Sequence, residues 1–258
     1  IIPPLLQDYY NQIIDHYESN NSPFDDNEST SLQNDYLLLS QDSGIKPLLP
    51  AFIQFFSYKV MTCLSNRSEM EKVTWYLDGL IENPSLPINF YVHPILRILM
   101  TIILKYDPCN LDEAQNIDSL RQILSDDAIL RQRCASLLNK LIETCISGFP
   151  NIRIVISNTM IQTILSSKTT FCAHIGALSA IEQLGNDVIS SIAPSLPTYI
   201  SFLKRVINYL PSIANNQIQK ELLKIVLCKV EQIVTHFKEN GTILKEINQL
   251  KPQLNDQE

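Results

Sequence analysis

Pro47-Leu48-Leu49-Pro50-Ala51-Phe52-Ile53-Gln54-Phe55-Phe56 and Pro194-Ser195-Leu196-Pro197-Thr198-Tyr199-Ile200-Ser201-Phe202-Leu203 are two copies of one pattern: Pro-x-Leu-Pro-x-aromatic-Ile-x-Phe-apolar. Proline suits the first turn of a helix, where its missing N–H would have no intrahelical partner. Weaker copies follow Pro94 (Ile95, Leu96, Leu99, Met100) and Pro150 (Ile152, Val155, Ile156). The anchor prolines stand at 50, 94, 150 and 197, at intervals of 44, 56 and 47. Each anchor predicts a helix, and each is followed by a second amphipathic run, near 69–81, 128–146, 174–184 and 218–236.

Helix pairs recurring about every 40–47 residues have the period of HEAT or armadillo repeats. The fold class predicted is therefore all-α, a HEAT-repeat α-solenoid of about four to five antiparallel helix pairs. The long interval holds Asp107-Pro108-Cys109-Asn110 and a polar stretch up to Asp126. It reads as a loop insertion with a short extra helix around 117–124. Small residues at Ala173, Gly176, Ala177 and Ala180 share one helix face and predict close approach of a neighbour. Gly185 is placed to end that helix, with Asn186 or Asp187 capping the next.

Working outward, Leu5, Leu6, Tyr9, Tyr10, Ile13, Ile14 and Tyr17 recur at helical spacing, which predicts a short amphipathic docking helix over 1–18. Residues 19–45 read as an acidic mobile linker, because their polar core Glu18–Asp35 offers too little apolar surface to offset ordering entropy. The repeat domain spans 46–240, and 241–258 is a C-terminal tail. From the start at Ile1, without an initiator Met and followed by Pro3-Pro4, a fragment of something longer is expected, and no signal peptide is expected. The apolar run from Ile95 to Leu104 carries Arg97 and falls short of the roughly 20 residues needed to span a bilayer. A soluble protein with no membrane partner is expected.

Charge is unevenly placed. Residues 1–50 hold eight acids against Lys46 alone, which accounts for the net charge of −7 of the whole chain. A phosphate-binding protein would carry a basic stripe. The best candidate, Lys204, Arg205, Lys220, Lys224 and Lys229, is interrupted by Glu221 and Glu231, so no nucleic acid is expected. The six cysteines (Cys63, Cys109, Cys134, Cys145, Cys172 and Cys228) contain no CxxC pair and read as reduced thiols, Cys134 and Cys145 on a core face. His16, His93, His174 and His236 assemble no zinc set, and no phosphate loop or common hydrolytic motif is present. Neither an enzyme nor a cofactor is expected.

Several local stretches then match one family in order. Leu49-Pro50-Ala51-Phe52, Leu80-Ile81-Glu82-Asn83-Pro84-Ser85-Leu86, Tyr91-Val92-His93-Pro94-Ile95-Leu96, Leu130-Arg131, Asn151-Ile152-Arg153 and His174-Ile175-Gly176-Ala177 belong to this set. So does Leu184-Gly185-Asn186-Asp187-Val188-Ile189. Together they resemble the C-terminal HEAT-repeat domain of the TFIID subunit 6 family of TATA-binding-protein-associated factors. Leu6–Ile14, with Tyr9-Tyr10, is similar to the segment that precedes that domain. The chain departs from the family at Gln132-Arg133, at Phe171-Cys172-Ala173, and at His174, where the family has Arg.

The resemblance implies a nuclear, non-enzymatic protein-interaction scaffold of TFIID, extending to SAGA-type coactivators. It would support assembly of the RNA polymerase II pre-initiation complex. Partners would be other TFIID and SAGA subunits, with the histone-fold partner bound by an N-terminal region outside this sequence. Protein contacts are expected at Tyr9, Tyr10, Arg131, His174, Asn186 and Asp187. A HEAT adaptor of another complex, for transport or phosphatase scaffolding, is the alternative.

Overall fold

The computed structural model describes residues 3–19, 29–107, 116–210, 217–236 and 241–254. Its helices are α1 (Pro4–Ser19), α2 (Ser29–Gln41), α3 (Leu49–Thr62), α4 (Arg67–Glu82), α5 (Val92–Lys105) and α6 (Ile117–Cys145). They continue as α7 (Ile152–Leu165), α8 (Phe171–Gln183), α9 (Asn186–Ile192), α10 (Leu196–Tyr209), α11 (Gln217–Thr235) and α12 (Gly241–Leu254). Short 3-10 turns precede α3, α5 and α10, and among the described residues there is no strand. The all-α expectation therefore holds. Two compact units form: residues 1–102 with 140–149, and residues 103–139 with 150–258.

Pro50 and Pro197 sit in the first turns of α3 and α10 as the repeated pattern requires. Pro94 is the third residue of α5, whereas Pro150 lies just before the N-cap Asn151. In α3, Leu49, Phe52, Ile53, Phe56 and Val60 are buried, one continuous stripe at helical spacing. The same register positions of α10 (Leu196, Tyr199, Ile200, Leu203, Ile207) are buried too. Side-chain caps fix other starts. Asn66 accepts from Glu69 N at 3.2 Å, and Thr170 accepts from Ala173 N at 3.2 Å.

In the first unit α1 packs on α2 and α2 on α4. The mobile-linker expectation for 19–45 is corrected over 29–45, which is helix α2 and a 3-10 turn; residues 20–28 lie outside the described set. The anchor is an acid that a composition count scored against order. Asp35 is buried, accepting from Tyr76 Oη at 2.8 Å and meeting His16 Nδ1 at 3.0 Å. Leu39 is buried beside it, and Tyr36 packs on Trp75 at 5.1 Å. Buried Asn83 joins the end of α4 to this region, donating to Leu39 O (2.8 Å) and Asp42 O (2.9 Å).

In the second unit α8 packs between α7 and α11, and α12 packs on α10 and α11. The tail expected over 241–258 is thus a helix through Leu254, with Ile247, Leu250 and Leu254 buried. The expected break between helices near 117–124 and 128–146 is also absent: α6 is one helix. No Gly or Pro interrupts Ile117–Cys145, and Asp126 and Asp127 make i, i+4 bonds instead of starting a new helix. By length and composition alone the run Ile88–Lys105 could cross a membrane, yet Ile95, Ile98, Leu99 and Ile102 are buried in the fold.

Candidate protein-interaction surfaces

The structure sorts the six expected contact residues into three kinds. Arg131 is not on the surface: its side chain is fully buried, held by Asp127 at 3.0 Å. Its other nitrogens donate to the carbonyls of Ile103 and Tyr106, at the C-terminal end of α5. A cation there satisfies carbonyls that the helix leaves unpaired and meets the negative end of the helix dipole. Arg131 therefore fastens a helix end and makes no outside contact.

His174 is corrected in the same way. It is buried in α8, with Nδ1 2.9 Å from Tyr199 Oη and Nε2 2.8 Å from Thr169 Oγ1. Burial pushes its pKa down to about 4, so the ring is neutral near pH 7. The neutral ring can accept or donate inside the core.

Tyr9 and Tyr10 are half-buried, and they contact their own unit. Tyr10 packs on Phe52 at 5.0 Å, and Tyr9 Oη reaches Asp42 at 3.4 Å. Burial, then the Asp42 charge, pushes the Tyr9 phenol up to about 12. The helix carrying them docks intramolecularly. Buried Tyr17 meets Phe55 edge-on at 5.1 Å and bonds Glu69 Oε2 at 3.0 Å, while Glu18 pairs with Lys59 at 2.7 Å.

Asn186 and Asp187 are exposed. They lie inside the first turn of α9 and do not cap it; the N-cap is Gly185, at φ 96° and ψ 177°. That backbone region is open to glycine and closed to side chains. Arg153 donates to the carbonyl of Leu184, fixing the same turn. The exposed pair is therefore presented by a rigid corner.

Sequence reading missed two grooves, each within one unit. In the first unit a groove of about 410 Å³ runs between α3 and α5, bordered by Ser57, Met61, His93, Arg97 and Thr101. Met61 is 71% exposed. In the second, a groove of about 620 Å³ lies between α7 and α10. Phe202, Arg205, Val206 and Tyr209 line it from α10, and Ile164 and Leu165 from α7.

Of the basic residues singled out in the sequence, Lys224 and Lys229 are paired with acids. Lys224 and Arg121 meet Glu221 at 2.8 and 3.3 Å, and Lys229 meets Glu182 at 3.0 Å. Burial alone would raise the Glu221 pKa, but bonds from Lys224 and Arg121 outweigh it and hold the carboxyl below its usual range. Among the described residues, no three His, Cys, Asp or Glu side chains cluster as a metal site would require.

Comparisons with known proteins agree with this architecture. The family model described as the TAF6 C-terminal HEAT repeat domain matches residues 1–197. Transcription initiation factor TFIID subunit 6 of Arabidopsis thaliana is 22% identical over 171 residues, 66% of this chain and 29% of that protein. The SAGA complex/transcription factor TFIID complex subunit Taf6 of Schizosaccharomyces pombe is 22% identical over 66% of this chain and 35% of its own length. The chain thus spans about a third of the curated relatives it matches. The solved TAF6 C-terminal domain from Antonospora locustae superposes with a TM-score of 0.58 at 18% identity, covering 88% of this chain and 97% of that one. Since that family model covers well over half of its residues, the chain belongs to the TAF6 C-terminal HEAT repeat domain family.

Proposed function

We propose that this chain is a non-enzymatic protein-binding scaffold of TFIID, shared with SAGA-type coactivators, working in the nucleus to support assembly of the RNA polymerase II pre-initiation complex. The observation that carries the reading is the family match over residues 1–197. The relatives it aligns with are TFIID and SAGA subunits by name, which supports TFIID and SAGA subunits as partners. The exposed apolar grooves support a binding role, since apolar burial at a few anchors supplies most interface energy. The pairing of Lys224 and Lys229 with acids supports proteins over promoter DNA as the partners.

The test is tagged expression in the native cells followed by mass spectrometry of co-purifying proteins. Recovery of other TATA-binding-protein-associated factors is expected. Recovery of transport or phosphatase subunits with no transcription subunits would overturn the TFIID assignment.

A further inference from the structure

The two strong copies of the proline pattern differ in what packs along one flank, which runs from a buried inward ring to the outward positions beyond it. On α3 that flank bears Phe52, Phe55 and Lys59, and α1 covers it. α1 brings two aromatic anchors seven residues apart: Tyr10 against Phe52 and Tyr17 against Phe55. Its charges are acidic, Asp8, Asp15 and Glu18, with no Lys or Arg. Glu18 pairs with Lys59 at the end of the contact. Aligning the patterns puts Tyr199, Phe202 and Val206 of α10 at these three positions. All three line the groove against α7, and among the described residues no helix fills it.

Arg205 is the charged residue of the described groove lining, Lys168 adjoins its Ser167, and no acid lines it. α7, residues 166–170 and α10 contain Arg153, Lys168, Lys204 and Arg205 and no Asp or Glu. Lys168, Lys204 and Arg205 are exposed, and none forms an ion pair among the described residues. In a chain of net charge −7 this is a local reversal that would draw an acidic segment. The lining between the cations is apolar, with Leu165 39% and Tyr209 67% exposed. A phosphate backbone would need a basic track along the groove, whereas an amphipathic helix needs this alternation of apolar wall and basic rim.

We propose that the groove between α7 and α10 docks an acidic amphipathic helix of a partner protein, one with apolar anchors about seven residues apart, as α1 docks on α3. This deepens the scaffold reading by naming a surface and the chemistry of its occupant. Tyr199 to Tyr209 spans about 15 Å of α10, enough for about three turns of such a helix.

The probe is a fluorescein-labelled peptide of residues 3–19, which carries the required pattern, titrated into the full chain and followed by polarisation. Saturable binding in the tens of micromolar, about the range of a single short helix in a groove, is expected. Arg205→Glu should weaken it by about tenfold, with melting unchanged because Arg205 is exposed and forms no ion pair among the described residues, and higher salt should weaken it further. Lys59→Glu should leave it within about twofold. Absence of binding up to about 1 mM overturns the proposal. So does loss of binding in Lys59→Glu but not in Arg205→Glu, since the peptide would then be exchanging with α1. Displacement by oligothymidylate at about 0.15 M salt assigns the groove to nucleic acid and overturns it as well. Dimers of the chain that Arg205→Glu dissolves would make the occupant a second copy and have the same consequence. Binding here is read directly, so its failure and failure of the co-purification are separate results.

Discussion

Helices α3 and α10 share a sequence pattern and an inner face, yet their outer faces have diverged. Inward positions repeat as Leu49/Leu196, Phe52/Tyr199, Ile53/Ile200, Phe56/Leu203 and Val60/Ile207, and every one is buried. Outward positions change chemistry: Ser57/Lys204, Tyr58/Arg205, Lys59/Val206 and Thr62/Tyr209. A repeat constrains the residues that pack against its own neighbours, because each change of volume there is felt. Outward positions answer to whatever covers them. On α3 the cover is α1, and Lys59 serves Glu18 and Glu69. Burial would depress the Lys59 ammonium, but the two carboxylates reverse this and hold its pKa above the usual value.

Breaking the platform under α10 gives the largest effect. A Cβ on Gly176 would lie 2.9 Å from the Ile103 carbonyl carbon and closer still to its oxygen, so Gly176→Val should cost more than about 5 kcal/mol. Unchanged melting would show that α8 can move away and that the close approach is incidental. Next comes the contrast between covered and open faces. Tyr17→Ala removes a fully buried ring and should cost about 4 kcal/mol, while Phe202→Ala, at a half-buried ring, should cost about 1–2 kcal/mol. Equal losses in chemical denaturation would mean that the open groove is as packed as the covered one.

Acid should act on the second unit through His174. Its folded pKa of about 4 lies below the unfolded value of about 6.5, so the neutral ring contributes full stability above 6.5. That contribution falls as pH drops from 6.5 towards 4, by about 3 kcal/mol in all. His174→Gln should flatten the pH dependence in this window; a wild-type profile that is already flat there contradicts the buried neutral ring. The smallest effect separates two surface cations. Lys59→Glu should cost about 1 kcal/mol by setting like charges beside Glu18 and Glu69, and Arg205→Glu less than about 0.5 kcal/mol. A larger loss from Arg205→Glu than from Lys59→Glu would reverse the comparison.

Features set by local chemistry were legible in the sequence. The prolines of α3 and α10 and Gly185 act where their neighbours in the chain place them, and the small-residue face of α8 shows in its spacing although its partner Ile103 is distant. Features set by distant partners were not. Asp35 looked like part of a solvated acidic run until Tyr76, 41 residues on, supplied its hydrogen bond. Arg131 looked like a surface cation because the carbonyls it satisfies lie 25 and 28 residues earlier. The grooves were hidden for the same reason. Whether an outward aromatic is covered depends on which helix returns to it, and the repeated pattern holds no information on that.

The thiols can serve as internal timers. Cys145 is buried in the first unit, Cys134 and Cys172 in the second, and burial pushes the Cys172 thiol up to about 11. Such thiols are slow nucleophiles until local opening admits water. Cys228, exposed on α11, would react with an alkylating reagent at once and mark the start of the experiment. The rates at which Cys145, Cys134 and Cys172 follow would then report how often each unit opens, in one unlabelled chain and without a single substitution.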